Sequence, residues 1–338
     1  MRKFLVLALL LVALISTAMA VGCQPPDNDQ DQGDNGGQTC THEYKDGYFL
    51  EETTMYIGKK CKKCNEIDKD GATKVNVNVV VKADDKEKEK IISTAKDGDV
   101  VAFTKGSYDT INGKWNTKNI RYIAETGATF RVVNVTDGDV VYENFTITGA
   151  GDRNALNITY SVSNITVKNC YFTSHGGIHS DTAIPTNLVV ENCTFENIIT
   201  GSSAMTITQY DGLTVNNCVF KNVGYNALQV GEKNNAGKVY VTNNVFNNMR
   251  SRVVYLVRVD NLQECVVEGN VFYDHEHVYS PEEDGPKKPN GAYIHSKSTS
   301  GTIKVGVNTW ENVPKHETKY IAPIAEYVVE NQLTFLPE

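Results

Sequence analysis

Five stretches of the sequence repeat one pattern, and this repeat decides the fold. They are VKNCYF at 167–172, VENCTF at 190–195, VNNCVF at 215–220, VTNNVF at 241–246 and VEGNVF at 267–272. A less perfect copy ends at Phe145, and a last one ends at Trp310. From Phe145 to Phe272 the aromatic residues are separated by 27, 23, 25, 26 and 26 positions. The chain therefore repeats a unit of about 25 residues.

A unit of this length is too small to bury its own apolar face, so successive units must stack. Short alternating strands and Asn-rich turns favour a coil with one unit per turn, in which equivalent residues lie about 4.8 Å apart. Asn197, Asn222 and Asn248 each stand two places after an aromatic residue, where asparagine tolerates a left-handed turn conformation. The leucine signature of leucine-rich repeats is absent. The repeat predicts an all-β fold, a right-handed parallel β-helix over residues 75–338.

The entrance to the repeat also has a recognisable order of elements. Residues 83–95 read as one short amphipathic helix, followed by the apolar strand 97–103 and by Lys105-Gly106-Ser107-Tyr108. This order resembles the start of many β-helices of the pectate-lyase-like superfamily, and the resemblance covers about residues 75–320. It implies that the helix caps the N-terminal end of the coil and hides strand edges that could otherwise template aggregation.

Cys170, Cys193 and Cys218 hold one equivalent position in three consecutive units. Strand parity places each of them on the same side as the phenylalanine two residues later, which predicts an interior stack. Stacked side chains point the same way, which is a poor orientation for a disulfide. We expect free thiols packed on one another rather than a row of metal ligands.

Residues 1–22 have the parts of a secretion signal. Arg2 and Lys3 precede a run of twelve apolar residues, 4–15, which is shorter than the roughly 20 that a membrane-spanning helix needs. The sequence Ala20-Val21-Gly22-Cys23 resembles the lipobox of bacterial lipoproteins, although Leu is more usual than Ala at its first position. The resemblance implies that Cys23 is acylated, whereas ordinary cleavage after Ala20 is the alternative. Residues 23–38 contain no large apolar side chain and predict a disordered tether.

A small module is predicted over residues 39–72. Cys40 and His42 are followed by Cys61 and Cys64, and two close pairs of soft donors suit tetrahedral zinc. The spacing resembles the short C-x-H…C-x-x-C zinc-ribbon-like repeats of bacterial cell-surface proteins. A structural Zn²⁺ is expected, because four protein ligands leave no position for a reacting water. The alternative is a pair of disulfides, since so short a domain needs a metal or a crosslink to fold.

The composition bounds the partners. The 338 residues include 33 Lys and Arg against 41 Asp and Glu, which gives a formal charge of -8. An acidic chain without a long basic run argues against nucleic acid as the main partner. With the anchor at Cys23, the sequence predicts an exported protein that is attached to the bacterial cell envelope or surface through its N-terminal lipid.

The superfamily resemblance implies that a polysaccharide would lie along one parallel sheet and its neighbouring loops. The corresponding strands are predicted within 155–159, 203–208, 226–231, 252–260 and 291–297. Candidate residues for substrate binding, taken from these strands and from the loops beside them, are His175, His179, Tyr225 and Lys297. For each of them a solvated turn is the alternative.

Catalysis would require further groups. A polysaccharide lyase needs a base and a cation that stabilises the enediolate, and Arg250, Arg252 and Arg258 are the candidates for the basic role. The resemblance implies a calcium ion held by acids, for which Asp181, Asp211 and Glu232 are candidates. No lyase motif is matched around these residues, and a hydrolase would need grouped aspartates that are missing. We therefore expect a β-helix that binds a cell-surface glycan or acts in adhesion, with polysaccharide lyase as the alternative.

The lipid anchor makes a direct prediction. Replacement of Cys23 by Ser removes the acylated thiol, so the protein should move from the detergent phase to the aqueous phase in Triton X-114 partitioning of whole cells. The variant Cys170→Ser, with all of its N-terminal segment intact, is the control and should stay in the detergent phase. Equal partitioning of the unaltered protein and the Cys23 variant would contradict acylation.

Overall fold

The structure is a computed structural model. It describes residues 42–113, 119–149, 155–175, 177–199, 203–231, 236–249, 253–256, 263–273, 294–296, 302–311 and 333–335. The contacts divide the chain into two compact units, Met1–Val75 and Asn76–Glu338.

The first unit is a small three-stranded sheet. Strands β1 (Tyr44–Glu51) and β2 (Thr54–Cys61) form a hairpin in continuous register, and β3 (Thr73–Asn76) pairs with β2. Tyr48, Phe49, Met55, Cys61 and Ile67 are its buried apolar residues. This core is thin, which agrees with the expectation that so short a module needs an additional crosslink.

The second unit begins with one strand and a helix. Strand β4 (Val79–Val81) precedes α1 (Lys88–Ile92), which is shorter than the predicted helix over 83–95. The first part of that range is a turn instead, because the Asp85 carboxylate accepts the backbone N–H of Lys82 at 2.6 Å. Ile92 and Ala95, within the predicted range, join the buried core of the coil. Within the described ranges no helix is long and apolar enough to cross a bilayer.

The rest of this unit is a coil of parallel strands, which confirms the predicted β-helix. It starts with β5 (Val100–Phe103), β6 (Gly106–Asn112), β7 (Arg121–Ala124) and β8 (Ala128–Val135), and all strand pairs of the coil are parallel. The long strand β8 pairs with β10 through Thr129 and Phe130 and with β11 through Val133 to Val135, so it contributes to two faces.

Three faces run along the coil. Face 1 contains β4, β5, β7, β9 (Val140–Glu143), β12 (Ser163–Lys168), β15 (Thr186–Glu191), β18 (Asp211–Asn216), β21 (Ala236–Thr242), β24 (Glu264–Glu268), β27 (Thr302–Val305) and β29 (Leu333–Phe335). Face 2 contains β10 (Thr146–Ile147), β13 (Tyr171–Ser174), β16 (Thr194–Ile198), β19 (Val219–Val223), β22 (Val245–Met249), β25 (Val271–Tyr273) and β28 (Thr309–Glu311). Face 3 contains β11 (Leu156–Ile158), β14 (Ile178–Ser180), β17 (Met205–Ile207), β20 (Leu228–Val230), β23 (Val254–Leu256) and β26 (Ile294–Ser296).

A row of phenylalanines fills the interior behind face 2. The members are Phe172, Phe195, Phe220, Phe246 and Phe272, all fully buried, with neighbouring ring centroids 4.6, 4.8, 5.0 and 5.1 Å apart. The repeat alignment is wrong at its first copy. Ile147, not Phe145, pairs with Phe172, and Phe145 precedes it in the position that Cys170 takes one turn later. Both positions face the core and accept an aromatic ring, so the apparent interval of 27 residues is really 25.

A second interior row changes its chemistry along the axis. Cys170, Cys193 and Cys218 are buried free thiols, as predicted. Cys218 donates to the backbone oxygen of Val190 at 3.6 Å. In the next turn Asn244 takes this position, donates from Nδ2 to Val215 O at 3.0 Å and accepts the N–H of Cys218 at 2.8 Å. The thiol and the amide therefore use the equivalent carbonyl group.

Asparagines hold the corners of the coil in the left-handed conformation, as the sequence predicted. Asn197, Asn222 and Asn248, at the end of face 2, have φ of 55°, 52° and 51°. Their side chains form a ladder, because Nδ2 of each donates to Oδ1 of the one before it at 2.9 Å. Other corner ladders contain Asn164 and Asn187, and Asn192 and Asn217.

The phenylalanine row provides a stability test. Truncation in Phe195→Ala leaves a cavity between Phe172 and Phe220 and should lower the free energy of unfolding by about 3–5 kcal/mol. The neighbouring Thr194 points outward, so Thr194→Ala should change it by roughly 0.5 kcal/mol. Urea denaturation followed by circular dichroism measures both values. Similar losses in the two variants would contradict an interior role for the ring.

Candidate functional site

Face 3 is the sheet on which the sequence placed a polysaccharide. Its strands β11, β17, β20, β23 and β26 lie within the predicted ranges, whereas β14 was not predicted. In β11, β14, β17 and β20 the two outer residues of the strand are buried, and the middle residue is half-buried and directed outward. Face 3 therefore presents one side chain per turn to solvent.

These outward side chains are in register and form one row. The row contains Asn157, His179, Thr206 and Gln229, and its backbone register continues with Tyr255 and His295. At its start Asn157 Nδ2 donates to Asn134 Oδ1 at 3.0 Å, and Asn134 Nδ2 donates to Asn112 Oδ1 at 2.8 Å. From Asn112 to Gln229 the row carries only amide, imidazole and hydroxyl groups. All three kinds of group can form directional hydrogen bonds with a ligand.

A shorter row lies beside it, two residues further along each strand. Thr159 and Asp181 are exposed, and Thr208 is buried. The buried Gln209 fixes the adjoining turn, because its Nε2 donates to the backbone oxygen of Thr182 at 3.1 Å. Among the three residues of this shorter row, Asp181 is the carboxylate.

The loops that lead into face 3 bring two further candidate residues to the site. His175 is half-buried, and its N–H donates to Thr148 O at 3.3 Å. Tyr225 is 36% exposed just before β20, and Tyr160 is 45% exposed just after β11. Two exposed aromatic rings therefore lie at the margins of a polar row, an arrangement that offers flat apolar surface next to hydrogen-bonding groups.

Unpartnered polar atoms concentrate in the same place. Among the described side chains, buried atoms without a hydrogen bond are Tyr142 Oη, Asn157 Oδ1, His175 Nδ1, Tyr210 Oη and Asn226 Oδ1. The atoms of Asn157, His175 and Asn226 belong to face 3 or its entry loops. Each such group costs about 1–3 kcal/mol when it stays unsatisfied. A ligand that supplies hydrogen-bond partners here would remove this cost.

Several charged side chains on the other faces are paired. On face 1 Glu143 is almost fully buried between Arg121 Nη2 at 2.7 Å and Lys168 Nζ at 3.3 Å. On face 2 Lys221 bonds Glu196 at 2.9 Å, and this hydrogen bond lowers the pKa of Glu196. None of the residues on β11, β14, β17 and β20 is a lysine, arginine, aspartate or glutamate. Face 3 is thus the neutral face over these four strands.

Comparison with known protein families agrees with this geometry. A family described as "Right handed beta helix region" matches residues 119–309, more than half of the chain. The chain belongs to the right-handed β-helix family. Comparison with curated proteins gives no significant match. Membership establishes the fold of the coil, whereas the chemistry of face 3 depends on its own residues.

Several predicted site residues of the β-helix lie outside the described part of the chain. These are Arg250, Arg252, Arg258, Lys297 and Glu232. Asp181 directly follows β14 on face 3, whereas Asp211 is the first residue of β18 on face 1. Neither belongs to a group of three or more potential metal ligands among the described residues. The catalytic and calcium roles stay predictions.

Sequence reasoning missed four residues of the β-helix site. Asn157, Thr206, Gln229 and Asn226 were not predicted, because the prediction rested on ionisable side chains in loops. The signal was present in the repeat itself. Strand parity, counted from the buried positions of each unit, identifies the middle residue of every face 3 strand as the outward one.

A second candidate site lies in the small module. His42, Cys61 and Cys64 have their donor atoms within 4.8 Å of one another, and Cys64 Sγ lies 3.4 Å from His42 Nδ1. In a tetrahedral zinc site, ligand atoms are separated by about 3.5 Å. The other ring nitrogen of His42 lies 3.9 Å from the Glu66 carboxylate, an orientation common for metal-bound histidine. The fourth predicted ligand, Cys40, lies outside the described residues, and so does Cys23.

The surroundings of Cys61 favour its thiolate form. Burial raises its pKa, but hydrogen bonds from the Cys64 backbone, from His42 and from the Lys63 backbone outweigh this effect and lower the pKa to about 6. Cys64 N lies 3.5 Å from Cys61 Sγ. Thiolate is the form that binds metal, so these three side chains fit a zinc ion. Cys61 and Cys64 are both free thiols.

The metal centre can be tested by substitution. The purified chain should hold about one equivalent of zinc, and Cys64→Ser should reduce this to less than about half an equivalent, since one of the ligands is lost. Cys193→Ala removes a buried thiol of the coil instead and should leave the zinc content unchanged. Elemental analysis after dialysis measures both. Unchanged zinc in the Cys64 variant would refute the assignment.

Proposed function

We propose that this β-helix binds a glycan chain along face 3 while a lipid on Cys23 holds it at the bacterial cell envelope. The observation that carries the proposal is the in-register row of neutral hydrogen-bonding side chains from Asn157 to Gln229. A periodic row matches a periodic ligand, because each turn can contact an equivalent part of a polymer. Neighbouring positions are about 4.8 Å apart, so the row of four spans about 14 Å.

The chemistry of the row favours a saccharide over other extended polymers. Sugar hydroxyls both donate and accept hydrogen bonds, as do the amides of Asn157 and Gln229 taken together. The exposed rings of Tyr160 and Tyr225 offer apolar contact for the faces of sugar rings. Nucleic acid would require basic groups, and β11, β14, β17 and β20 provide none.

The remaining parts of the chain would present the β-helix at the cell envelope. The tether after Cys23 would keep the folded units away from the membrane surface. Zinc held by His42, Cys61 and Cys64, with Cys40 as the fourth ligand, would stabilise the module and take no part in a reaction. Lyase activity is the alternative function, and it would depend on Arg250, Arg252 and Arg258.

Affinity electrophoresis in gels that contain polysaccharides tests the proposal. Thr206→Val keeps the shape of the side chain on face 3 and removes its hydroxyl, and His179→Ala removes the neighbouring imidazole. Each variant should bind about 3- to 10-fold more weakly, because one hydrogen bond contributes about 1 kcal/mol net. Thr194→Val makes the same change at an outward position of face 2 and is the matched control, so its affinity should not change.

The outcomes separate the two functions. Retardation by no polysaccharide, or equal effects of the Thr194 and Thr206 substitutions, would refute binding on face 3. An increase in ultraviolet absorbance from unsaturated product, on incubation with uronate polymers with and without calcium, would instead favour the lyase alternative. In that case Arg250→Ala, Arg252→Ala and Arg258→Ala should be compared first.

A further inference from the structure

Asn226 stands out within face 3 because it is fully buried and its hydrogen bonding is incomplete. It lies between the exposed Tyr225 and the start of β20, and its backbone oxygen accepts the N–H of Ala204 at 3.0 Å. Its side-chain Nδ2 donates to Gln229 Oε1 at 2.9 Å, which fixes the plane of the amide. Oδ1 has no partner. Asn226 therefore keeps one buried polar atom unsatisfied beside the outward row.

Exchanging the oxygen and nitrogen positions of the two amides does not remove the unsatisfied atom. If both amide groups are rotated by 180°, Gln229 donates to Asn226, and Nδ2 of Asn226 becomes the unsatisfied atom. One buried atom needs a partner in either case. A hydroxyl group suits both cases, because it can donate a hydrogen bond or accept one. Compared with a carboxylate or an ammonium group, a hydroxyl is thus the ligand group that fits Asn226 under every assignment.

Gln229 extends the hydrogen-bonding surface outward. It is half-buried and follows Thr206 in the row of face 3, and one atom of its amide is engaged by Asn226. The other amide atom remains for a ligand. Together the two side chains offer one buried and one outward polar atom, three residues apart on a single turn. Two neighbouring hydroxyl groups of one sugar unit could be bound by this pair.

The surroundings argue for an uncharged ligand. The described residues from Ser203 to Gln209 and from Gly224 to Gly231 include no charged side chain. A uronate carboxylate would leave water without gaining a cation from these segments, which is unfavourable. Tyr225, 36% exposed, is the neighbour of Asn226 in the chain and offers an exposed aromatic ring to a ligand.

We propose that Asn226 and Gln229 form a subsite that binds two neighbouring hydroxyl groups of a neutral sugar unit, with Tyr225 against the sugar ring. The inference rests on the proposed glycan binding of face 3 and specifies its ligand. The orphaned atom of Asn226 is then the specificity determinant, since a sugar that lacks the hydroxyl would leave it buried and unpaired.

Titration calorimetry on the full chain tests the subsite. The probes are neutral oligosaccharides of glucose, mannose and galactose, and oligogalacturonate of the same length. At least one neutral oligosaccharide should bind more tightly than the oligogalacturonate, by a factor of about ten or more. Asn226→Leu and Gln229→Ala should each weaken that binding by about tenfold or more, because each removes one of the two polar partners.

Thermal unfolding of the same variants separates recognition from structure. Asn226→Leu removes an unsatisfied buried amide, so its Tm should stay the same or rise. The matched control is Asn244→Leu, which removes a buried amide whose Nδ2 and Oδ1 both have hydrogen-bond partners. The Asn244→Leu substitution should lower Tm and leave glycan affinity unchanged. Gln229→Ala, at a half-exposed position, supplies a second test of binding if Asn226→Leu fails to fold.

Each outcome has one meaning. If the unaltered protein binds no glycan, both the proposed function and the subsite are wrong. If binding is weakened by Thr206→Val but is unaffected by Asn226→Leu and Gln229→Ala, face 3 binds glycan and the subsite alone is wrong. A lower Tm with unchanged affinity in Asn226→Leu would mean that a bound water satisfies Asn226, and this also overturns the subsite. Tighter binding of the uronate would overturn the neutral ligand.

Discussion

Hydrogen bonding between the backbones of successive turns is the constraint on which the coil depends. Parallel strands in register place equivalent residues about 4.8 Å apart, so every side chain packs mainly against its own counterpart. Phe195 therefore lies between Phe172 and Phe220, and Asn222 bonds Asn197. The same constraint acts on the outer surface, where it places His179 and Thr206 side by side on face 3. Core, corners and candidate site have one geometric origin.

This constraint explains why much of the fold could be predicted. The sequence repeats where the structure stacks, so the interior position of Cys170 and the turn role of Asn197 follow from parity and from residue type. The first copy could not be aligned correctly, because Phe145 and Ile147 are both compatible with the core. The helix was predicted too long because the periodicity of 83–95 continues through the turn at Asp85, where a local side-chain hydrogen bond competes with the helix.

The candidate site was less predictable for a physical reason. Ionisable residues such as His175 and Asp181 attract attention in a sequence, but binding through neutral groups depends on which residues share an outward row. That information requires the register between turns. The unsatisfied amide of Asn226 is beyond sequence reasoning, because it results from the absence of a neighbour at one atom. In the module, by contrast, the spacing of His42, Cys61 and Cys64 was sufficient to predict that they would meet.

The interior row that changes from cysteine to asparagine makes the links between turns differ along the coil. A thiol is a weak hydrogen-bond donor, so Cys193, which donates to Val167 O at 3.5 Å, adds little beyond its packing to the joint between neighbouring turns. Asn244 and Asn270 each accept a backbone N–H from the preceding turn and donate to a carbonyl group, so their amides bridge turn to turn. The turns after Cys218 are consequently linked by more bonds than the turns before it. A pulling force applied from the N-terminal end would meet the weaker joints first and would peel the coil towards the amide-linked segment.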